Sequence, residues 1–197
     1  VDMDKKGVTA KLVICDEVDE MAGMAAITPL WERAKTFLRV GAKLFVASTK
    51  KKKNGTITQG FNSCEQKNYL GIKCPHCGNI VETHHSQFRI ATEKEYKEIM
   101  GYSDEDFTED KTFEEYVPYA CENAYYECNS CAEKITDEQK NSQILNGNID
   151  WIVKGKLIDP TTVGFSANSF LSLFVPFKDL ARAILKAELE KDTANRQ

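Results

Sequence analysis

The sequence predicts an α/β fold in which a parallel sheet is followed by a cysteine-bearing segment and then by a helical one. Two short apolar runs, KLVICD at 11–16 and AKLFVAST at 42–49, have the length and composition of parallel strands buried on both faces. Between them, PLWERAKTFLRV at 29–40 repeats apolar residues at helical spacing. A strand–helix–strand order with a right-handed crossover places the two strands side by side.

The ends of this first helix are marked by residues with special backbone preferences. Thr28 is a candidate N-cap, Pro29 suits the first helical position, and Gly41 ends the helix. The α/β pattern stops at the basic stretch KKKKNGT, residues 50–56. Further helices are predicted near 93–100, at 136–147 and, after a proline, at about 177–190.

Composition divides the chain into three segments. We expect a sheet-forming segment at 1–60, a cysteine-rich segment at 61–150 with an acidic insertion at about 84–120, and a linker with a helix at 151–197. The chain opens on Val1 and its first motif follows within a dozen residues, so we expect a fragment of a longer polypeptide.

Charge and hydropathy exclude several classes of protein. The formal net charge of −4 argues against a generally basic, DNA-coating protein, although a local basic patch is compatible with it. No apolar run approaches about 18 residues, and the first residues carry no apolar core of a secretion signal. We therefore expect a cytoplasmic protein without a membrane span.

Four of the seven cysteines form two CxxC pairs. Cys74 and Cys77 make the first pair, and Cys128 and Cys131 make the second. Cysteines of a non-secreted chain are expected as reduced thiols, and two residues between thiols let both sulfurs face one tetrahedral Zn²⁺. Fifty residues separate the pairs, and the acidic insertion explains this long gap. We predict one structural zinc ion, with no open position for water.

Acidic residues follow the first predicted strand, and hydroxyl residues end the second. Asp16 and Glu17 come directly after LVIC, while Ser48 and Thr49 follow Ala47. Ligands bind at the carboxyl ends of strands in open α/β sheets. In P-loop ATPases, an acid in this place helps to hold Mg²⁺ on the nucleotide phosphates, and the next Glu polarises the attacking water. The pattern therefore indicates an ATPase site.

Two observations bear on this ATPase interpretation. The sequence contains no GxxxxGK[ST] phosphate loop, which we expect upstream of Val1. The alternative is that the acids simply begin a solvated loop together with Asp19 and Glu20.

Taken in order, these motifs resemble the large terminase subunit of lambda-type tailed bacteriophages. VICDEVDEM at 13–21 is similar to the Walker B segment of that family, and ASTK at 47–50 is similar to its coupling motif. The segments YLGIKCPHCGN at 69–79 and YYECNSCAEKI at 125–135 are similar to its cysteine pairs. NGNIDW followed by VGFSANSF is similar to the start of its nuclease half.

The resemblance implies a motor that couples ATP hydrolysis to pumping double-stranded DNA into a procapsid, and a nuclease that cuts concatemers. Asp16 would be the Mg²⁺ ligand, Glu17 the catalytic carboxylate, and Ser48 with Thr49 the nucleotide-sensing coupling residues. The fold would be the carboxyl-terminal part of a P-loop ATPase sheet, then a zinc-ribbon-like segment and a helical linker to the nuclease domain.

The same resemblance implies the cofactors and partners of the parent protein. ATP and Mg²⁺ would be its cofactors, beside the zinc ion. Its partners would be DNA, the small terminase subunit and the portal protein, in an oligomeric motor at the procapsid portal in the bacterial cytoplasm. The sequence departs from the family at Lys50, where proline is frequent, and it lacks the Walker A half and the nuclease acids. We expect the fragment to be inactive and the parent to be an ATPase and endonuclease.

Two other functions compete with this interpretation. The chain could be a zinc-ribbon module that binds nucleic acid, with tyrosines 69, 125 and 126 stacking on bases. In that module phosphates would be contacted by Lys50, Lys51, Lys52 and Lys53. A helicase-type ATPase with an inserted zinc segment would share the acids and the hydroxyls instead.

Overall fold

The structure, a computed structural model, describes residues 10–21, 23–156 and 162–195. The chain divides into two compact units, Val1–Lys67 with Gly155–Gly164, and Asn68–Lys154 with Phe165–Gln197. Each unit has its own cluster of buried apolar residues. The fold is mixed α/β with a parallel strand pair and antiparallel sheets, which confirms the predicted α/β class. The zinc-ribbon-like character of the second segment stays a prediction. The three-segment organisation stays a prediction.

Two parallel strands form the sheet of the first unit. β1 (Leu12–Cys15) pairs with β2 (Lys43–Val46), with Cys15 opposite Val46, which confirms the predicted pairing. One face of the pair carries Cys15 into the core. The other face exposes Leu12, Ile14 and Phe45. The expected burial of β1 and β2 on both faces is therefore wrong, because side chains alternate along a strand and the described helices cover one face only.

The helix between these strands begins earlier than predicted. α1 spans Met24–Ala34, continues as a 3₁₀ helix to Val40, and starts after Gly23 rather than at Pro29. Pro29 lies inside the helix, where it lacks an N–H for the main-chain ladder. Ile27 and Ala34, seven residues apart on one helix face, are both buried, and this packing offsets the missing bond. Gly41, with φ +84°, ends the segment as predicted.

A second helix of this unit was not predicted. α2 spans Thr56–Ser63 and places Ile57 against the core formed by β1 and α1, so the α/β pattern does not stop at residues 50–56. The sequence TITQGFNS gives a weak helix signal, because it contains a glycine and β-branched residues. Tertiary contacts at its first turn, described below, hold it in place.

Short strands build two sheets in the second unit. The first sheet has the order β4-β3-β8 with β9 also paired to β3, and the second has the order β5-β6-β7. Several of these strands have only two or three residues, too few for a periodic pattern to be visible in the sequence. Their bounds are β3 Gln66–Lys73, β4 Ile80–Glu82, β5 Phe88–Arg89, β6 Tyr125–Glu127, β7 Lys134–Ile135, β8 Ile149–Lys154 and β9 Val163–Ser166.

Helices pack against these sheets, and the three predicted ones are present. A π-helical turn, Thr112–Tyr116, joins the fourth helix to the fifth. The helices are α3 Glu93–Met100, α4 Glu109–Lys111, α5 Val117–Glu122, α6 Asp137–Leu145 and α7 Phe177–Asn195. On the described part of the chain, no helix is both long enough and apolar enough to cross a membrane.

The acidic insertion contributes a group of aromatic side chains to the core of the second unit. Glu115 lies at its centre and accepts hydrogen bonds from the hydroxyls of Tyr102, at 2.8 Å, and Tyr96, at 3.3 Å. Four rings lie around Tyr96 at centroid distances of 5.0 to 6.3 Å. These rings belong to Tyr102, Phe107, Tyr116 and Tyr119. The insertion is therefore a folded element rather than a loose acidic loop.

We expect the replacement of Thr136 by alanine to lower the free energy of unfolding by about 1 kcal/mol. The Thr136 side chain accepts the amide of Gln139 at 3.3 Å, and the Gln139 side chain accepts the amide of Thr136 at 2.9 Å, which closes a capping box on α6. Urea unfolding should show a lower midpoint with an unchanged slope. Thr162→Ala, at an exposed threonine before β9, is the control and should keep the parental midpoint.

Candidate functional site

The four cysteines of the CxxC pairs lie together in the second unit. Their sulfurs are all within 4.8 Å of one another. The Sγ atoms of Cys74 and Cys131 are 3.9 Å apart, and so are those of Cys77 and Cys128. Four sulfurs at about 2.3 Å from a tetrahedral zinc ion would be separated by about 3.8 Å. The cluster therefore has the donor type and spacing of a four-thiolate metal site.

Each cysteine pair lies at the tip of a hairpin, and both tips have the same backbone geometry. The amide of Gly78 donates to the carbonyl of Cys74 at 3.0 Å, and the amide of Ala132 donates to that of Cys128 at 2.8 Å. Gly78 and Ala132 both have left-handed backbone conformations, with φ +75° and +60°. Only small side chains fit such tight turns readily. The hairpins β3–β4 and β6–β7 thus present two equivalent pairs of thiols.

The ionisation of these thiols favours a bound cation. Burial raises the pKa of Cys128, but the amides of Ser130 and Cys131 and neighbouring thiols outweigh it and lower the pKa to about 7. For Cys131, the amide of Glu133 lowers the pKa, but burial and the neighbouring thiols raise it to about 12. Sulfurs this close together repel one another when several of them are ionised. A divalent cation removes this conflict because it neutralises the accumulating negative charge.

A histidine side chain connects the two hairpin tips outside the thiol cluster. His76, inside the first CxxC pair, places its Nε2 atom 2.8 Å from the carbonyl oxygen of Lys134. His76 is thus engaged with the main chain of β7. Within the ranges that the structure describes, the four cysteines form the one group of three or more His, Cys, Asp or Glu side chains that could share a metal ion.

The two predicted ATPase acids lie at the carboxyl end of β1 in the first unit. The amide of Ala47 donates to the carbonyl of Cys15 at 2.8 Å, and the amide of Val18 donates to that of Ala47 at 3.3 Å. The acidic turn, defined here as Asp16–Glu20, therefore runs beside the residues that follow β2. Both Asp16 and Glu17 are exposed.

Glu17 has an unusual backbone conformation within this turn. Its φ of +52° and ψ of 43° are left-handed, which non-glycine residues adopt at a cost of roughly 1 kcal/mol. Its amide donates to Oδ1 of Asp16 at 2.9 Å. This conformation directs the chain into a 3₁₀ turn, Val18–Glu20, and leaves both carboxylates at the surface.

Of the two hydroxyl residues after β2, only Ser48 contacts the acidic turn. Its Oγ atom accepts the amide of Asp19 at 3.2 Å and donates to the carbonyl of Thr49 at 3.1 Å. Thr49 itself is exposed. The structure thus brings Ser48 to the acids through Asp19.

Asp19 is the residue whose role the sequence did not reveal. Its carboxylate accepts the amide of Ile57 at 2.8 Å and the amide of Lys51 at 3.1 Å. These two hydrogen bonds, the stronger with Ile57, lower the pKa of the Asp19 carboxyl. Because the partners lie 32 and 38 residues further along the chain, no local pattern could have identified this side chain.

Residues 4–151 match the family described as phage terminase large subunit gpA, ATPase domain. The chain belongs to this family. The matched range includes the acidic turn, the hydroxyl residues and all four clustered cysteines, and it confirms the resemblance to lambda-type large terminase subunits. No curated protein and no solved structure matches the chain in the corresponding comparisons.

Membership of the terminase family places the chain in phage DNA packaging. An ATPase domain implies ATP and Mg²⁺ as cofactors, and a packaging motor implies partners such as DNA and the portal. The matched family is a terminase family rather than a helicase family. The assignments of Asp16, Glu17, Ser48 and Thr49 to particular steps stay predictions.

One lysine of the basic stretch is paired with the acidic turn. Lys51 forms an ion pair with Glu20, which raises the pKa of Lys51 and lowers that of Glu20. All four lysines, Lys50 to Lys53, are exposed, and the ion pair leaves the side chain of Lys51 48 % exposed. They remain the candidates for contact with nucleic-acid phosphates.

Of the three tyrosines proposed to stack on bases, one is buried and two are half-buried. Tyr126 is 1 % exposed, and its hydroxyl donates to Oε1 of Gln87 at 2.6 Å, so it cannot stack on a base and that prediction is wrong. Burial raises its pKa to about 12. Tyr69 and Tyr125 are half-buried, with the ammonium groups of Lys154 and Lys134 at 4.7 and 4.4 Å from their ring centroids.

Proposed function

We propose that this terminase chain supplies the two working carboxylates of a packaging ATPase. Asp16 helps to hold Mg²⁺ on the nucleotide phosphates, and Glu17 accepts a hydrogen bond from the attacking water and polarises it. The single observation that carries the proposal is the position of both exposed acids at the carboxyl end of β1, beside the parallel strand β2. The family match to an ATPase domain supports it.

We propose that Ser48 and Thr49 sense the nucleotide and couple it to movement. Ser48 is suited to this role because its hydroxyl is already bonded to the main chain of the acidic turn at Asp19. A change of charge beside Glu17 that moves the acidic turn therefore also moves Ser48, through the hydrogen bond between the Asp19 amide and the Ser48 hydroxyl. Thr49 follows Ser48 and is exposed.

The proposed metal is a structural zinc ion bound by Cys74, Cys77, Cys128 and Cys131. The sulfur spacing of 3.9 Å and the matching hairpin turns support this assignment. Four thiolates complete a tetrahedral site, so the ion would fix the two hairpins to each other and would not bind a reacting water. The second unit would then be zinc-ribbon-like around these turns.

At the level of the whole protein, we propose that the complete large subunit drives double-stranded DNA into the procapsid with energy from ATP hydrolysis. It would work as an oligomer with the small terminase subunit and the portal protein, in the bacterial cytoplasm. A nuclease domain would cut concatemers. In this proposal Lys50, Lys51, Lys52 and Lys53 contact DNA phosphates.

The proposal is tested by Ser48→Ala in the complete large subunit. Alanine loses the contact to the Asp19 amide, so we expect the DNA packaged per ATP hydrolysed to fall about tenfold, as for the loss of one well-placed hydrogen bond. The measurement combines nuclease-protected DNA in procapsids with phosphate release. Ser63→Ala, which removes a hydroxyl from the end of α2, is the control and should package normally. Normal packaging by Ser48→Ala would contradict the coupling role.

A further inference from the structure

One side chain of the first unit joins three segments that are distant in sequence. Asp19 lies in the acidic turn, two residues after Glu17. Its amide is bonded to Ser48, after β2, and its carboxylate is bonded to the amides of Lys51 and Ile57. Ile57 is the second residue of α2, so the carboxylate satisfies one of the amides that a helix leaves unpaired at its N-terminus.

The space for this carboxylate depends on a glycine. A Cβ atom on Gly55 would lie 2.3 Å from Oδ2 of Asp19, closer than real Cβ contacts occur. The φ of Gly55 is −65°, which any residue can adopt, so the requirement concerns space and not backbone freedom. Gly60, inside α2, has nothing within 4 Å of a Cβ position. The chain therefore offers one glycine whose replacement displaces Asp19 and another whose replacement does not.

We infer that Asp19 is a positioning residue that passes movement of the acidic turn to the Ser48–Lys51 segment and to helix α2. Asp19 is hydrogen-bonded to Ser48 through its main-chain amide and to α2 through its carboxylate. The acidic turn therefore cannot rotate without moving these two segments or breaking the hydrogen bonds, of which the one to α2 is charge-assisted. This inference rests on the proposed function of Asp16 and Glu17. Asp19 would transmit movement from that site without contacting the nucleotide.

The contacts are tested first by amide hydrogen exchange, measured by NMR on this chain. An asparagine has one acceptor oxygen where the carboxylate has two, so Asp19→Asn should raise the exchange rate of the Ile57 amide, the Lys51 amide or both by about tenfold or more. Gly55→Ala should have the same effect with Asp19 intact. Gly60→Ala should leave both amides at their parental rates.

The positioning role is tested by the kinetics of ATP hydrolysis in the complete large subunit. We expect Asp19→Asn and Gly55→Ala to lower kcat about tenfold while KM for Mg-ATP stays within about twofold of the parent, because Asp19 acts on movement after binding. Gly60→Ala should keep both constants. Glu17→Gln, assayed in parallel, reports on the proposed ATPase site itself.

The outcomes separate the inference from the proposed function. Faster amide exchange with unchanged kcat would show that the Asp19 bonds are only structural and would overturn the inference. A rise in the KM for Mg-ATP in both Asp19→Asn and Gly55→Ala would overturn the inference as well, since the nucleotide site would then be distorted. If Glu17→Gln keeps full turnover, the proposed function fails. If Glu17→Gln abolishes turnover and the Asp19 and Gly55 variants hydrolyse normally, the inference alone fails.

Discussion

Removal of the metal from the cysteine cluster is expected to unfold the hairpins of the second unit. Binding of structural zinc contributes about 10–16 kcal/mol in small zinc domains, which is as large as the whole stability of a typical domain. Cys74→Ser should have the same effect, because a serine hydroxyl does not replace a buried thiolate ligand. We expect the variant to contain far less than about one zinc per chain by elemental analysis, and to lose its cooperative thermal transition.

A matched control variant makes this result specific to the cluster. Cys64→Ser is the matched control, because the Cys64 thiol donates to the carbonyl of Gly60 and a hydroxyl can make the same bond. It should retain the zinc content and the thermal transition of the parent. If Cys74→Ser also retained both, the assignment of a structural metal to these cysteines would be wrong.

Glu17→Gln in the complete large subunit is expected to stop ATP turnover while Mg-ATP still binds. The amide keeps the shape of the side chain but cannot polarise water, and the loss of a positioned general base lowers rates by about 10² to 10⁴. Because Glu17 is exposed, the substitution should leave the thermal stability of the protein unchanged. Phosphate release and nucleotide binding, measured on the same preparation, separate the two effects.

Asp16→Asn should behave differently from Glu17→Gln. Loss of a carboxylate that helps to hold Mg²⁺ weakens metal-dependent ATP binding as well as hydrolysis. Glu32→Gln, at an exposed acid of α1 that pairs with Lys35, is the control and should hydrolyse ATP at the parental rate. Parental packaging rates in both the Asp16 and Glu17 variants would show that the two acids are ordinary loop residues.

The parts of the fold that were predicted correctly are those with a strong local signal. The strands β1 and β2 have continuous apolar runs, and α3 and α6 begin with capping boxes at Thr92 and Thr136. The start of α1 was wrong because proline is most frequent at first helical positions, whereas burial of Ile27 extends this helix before Pro29. Burial depends on tertiary packing, which a local pattern does not report.

The residues of the candidate site also differ in whether a local sequence signal could identify them. The four cysteines could be grouped from spacing alone, because CxxC turns have a local geometry that brings two sulfurs to one point. Asp19 could not be identified, since its partners Ser48, Lys51 and Ile57 meet it only when β2 and α2 have folded against the turn. The two-residue strands β5 and β7 were equally invisible, because alternation needs a longer run to be recognised.

The distance between the cysteine pairs has a consequence for how this region tolerates change in length. Arg89 and Tyr125 are direct partners in the β5–β6 ladder, so the intervening polypeptide leaves and rejoins the sheet at adjacent points. Fifty residues separate Cys77 from Cys128, about one and a half doublings of the usual 15–20, which adds only about 1 kcal/mol of chain-closure entropy. The aromatic cluster around Tyr96 offsets part of that entropy through its own packing. Change in length is therefore expected to be tolerated at the exposed turn 104–106, whereas Tyr96, Tyr116 and Cys121 of the same segment belong to the core that the whole second unit shares.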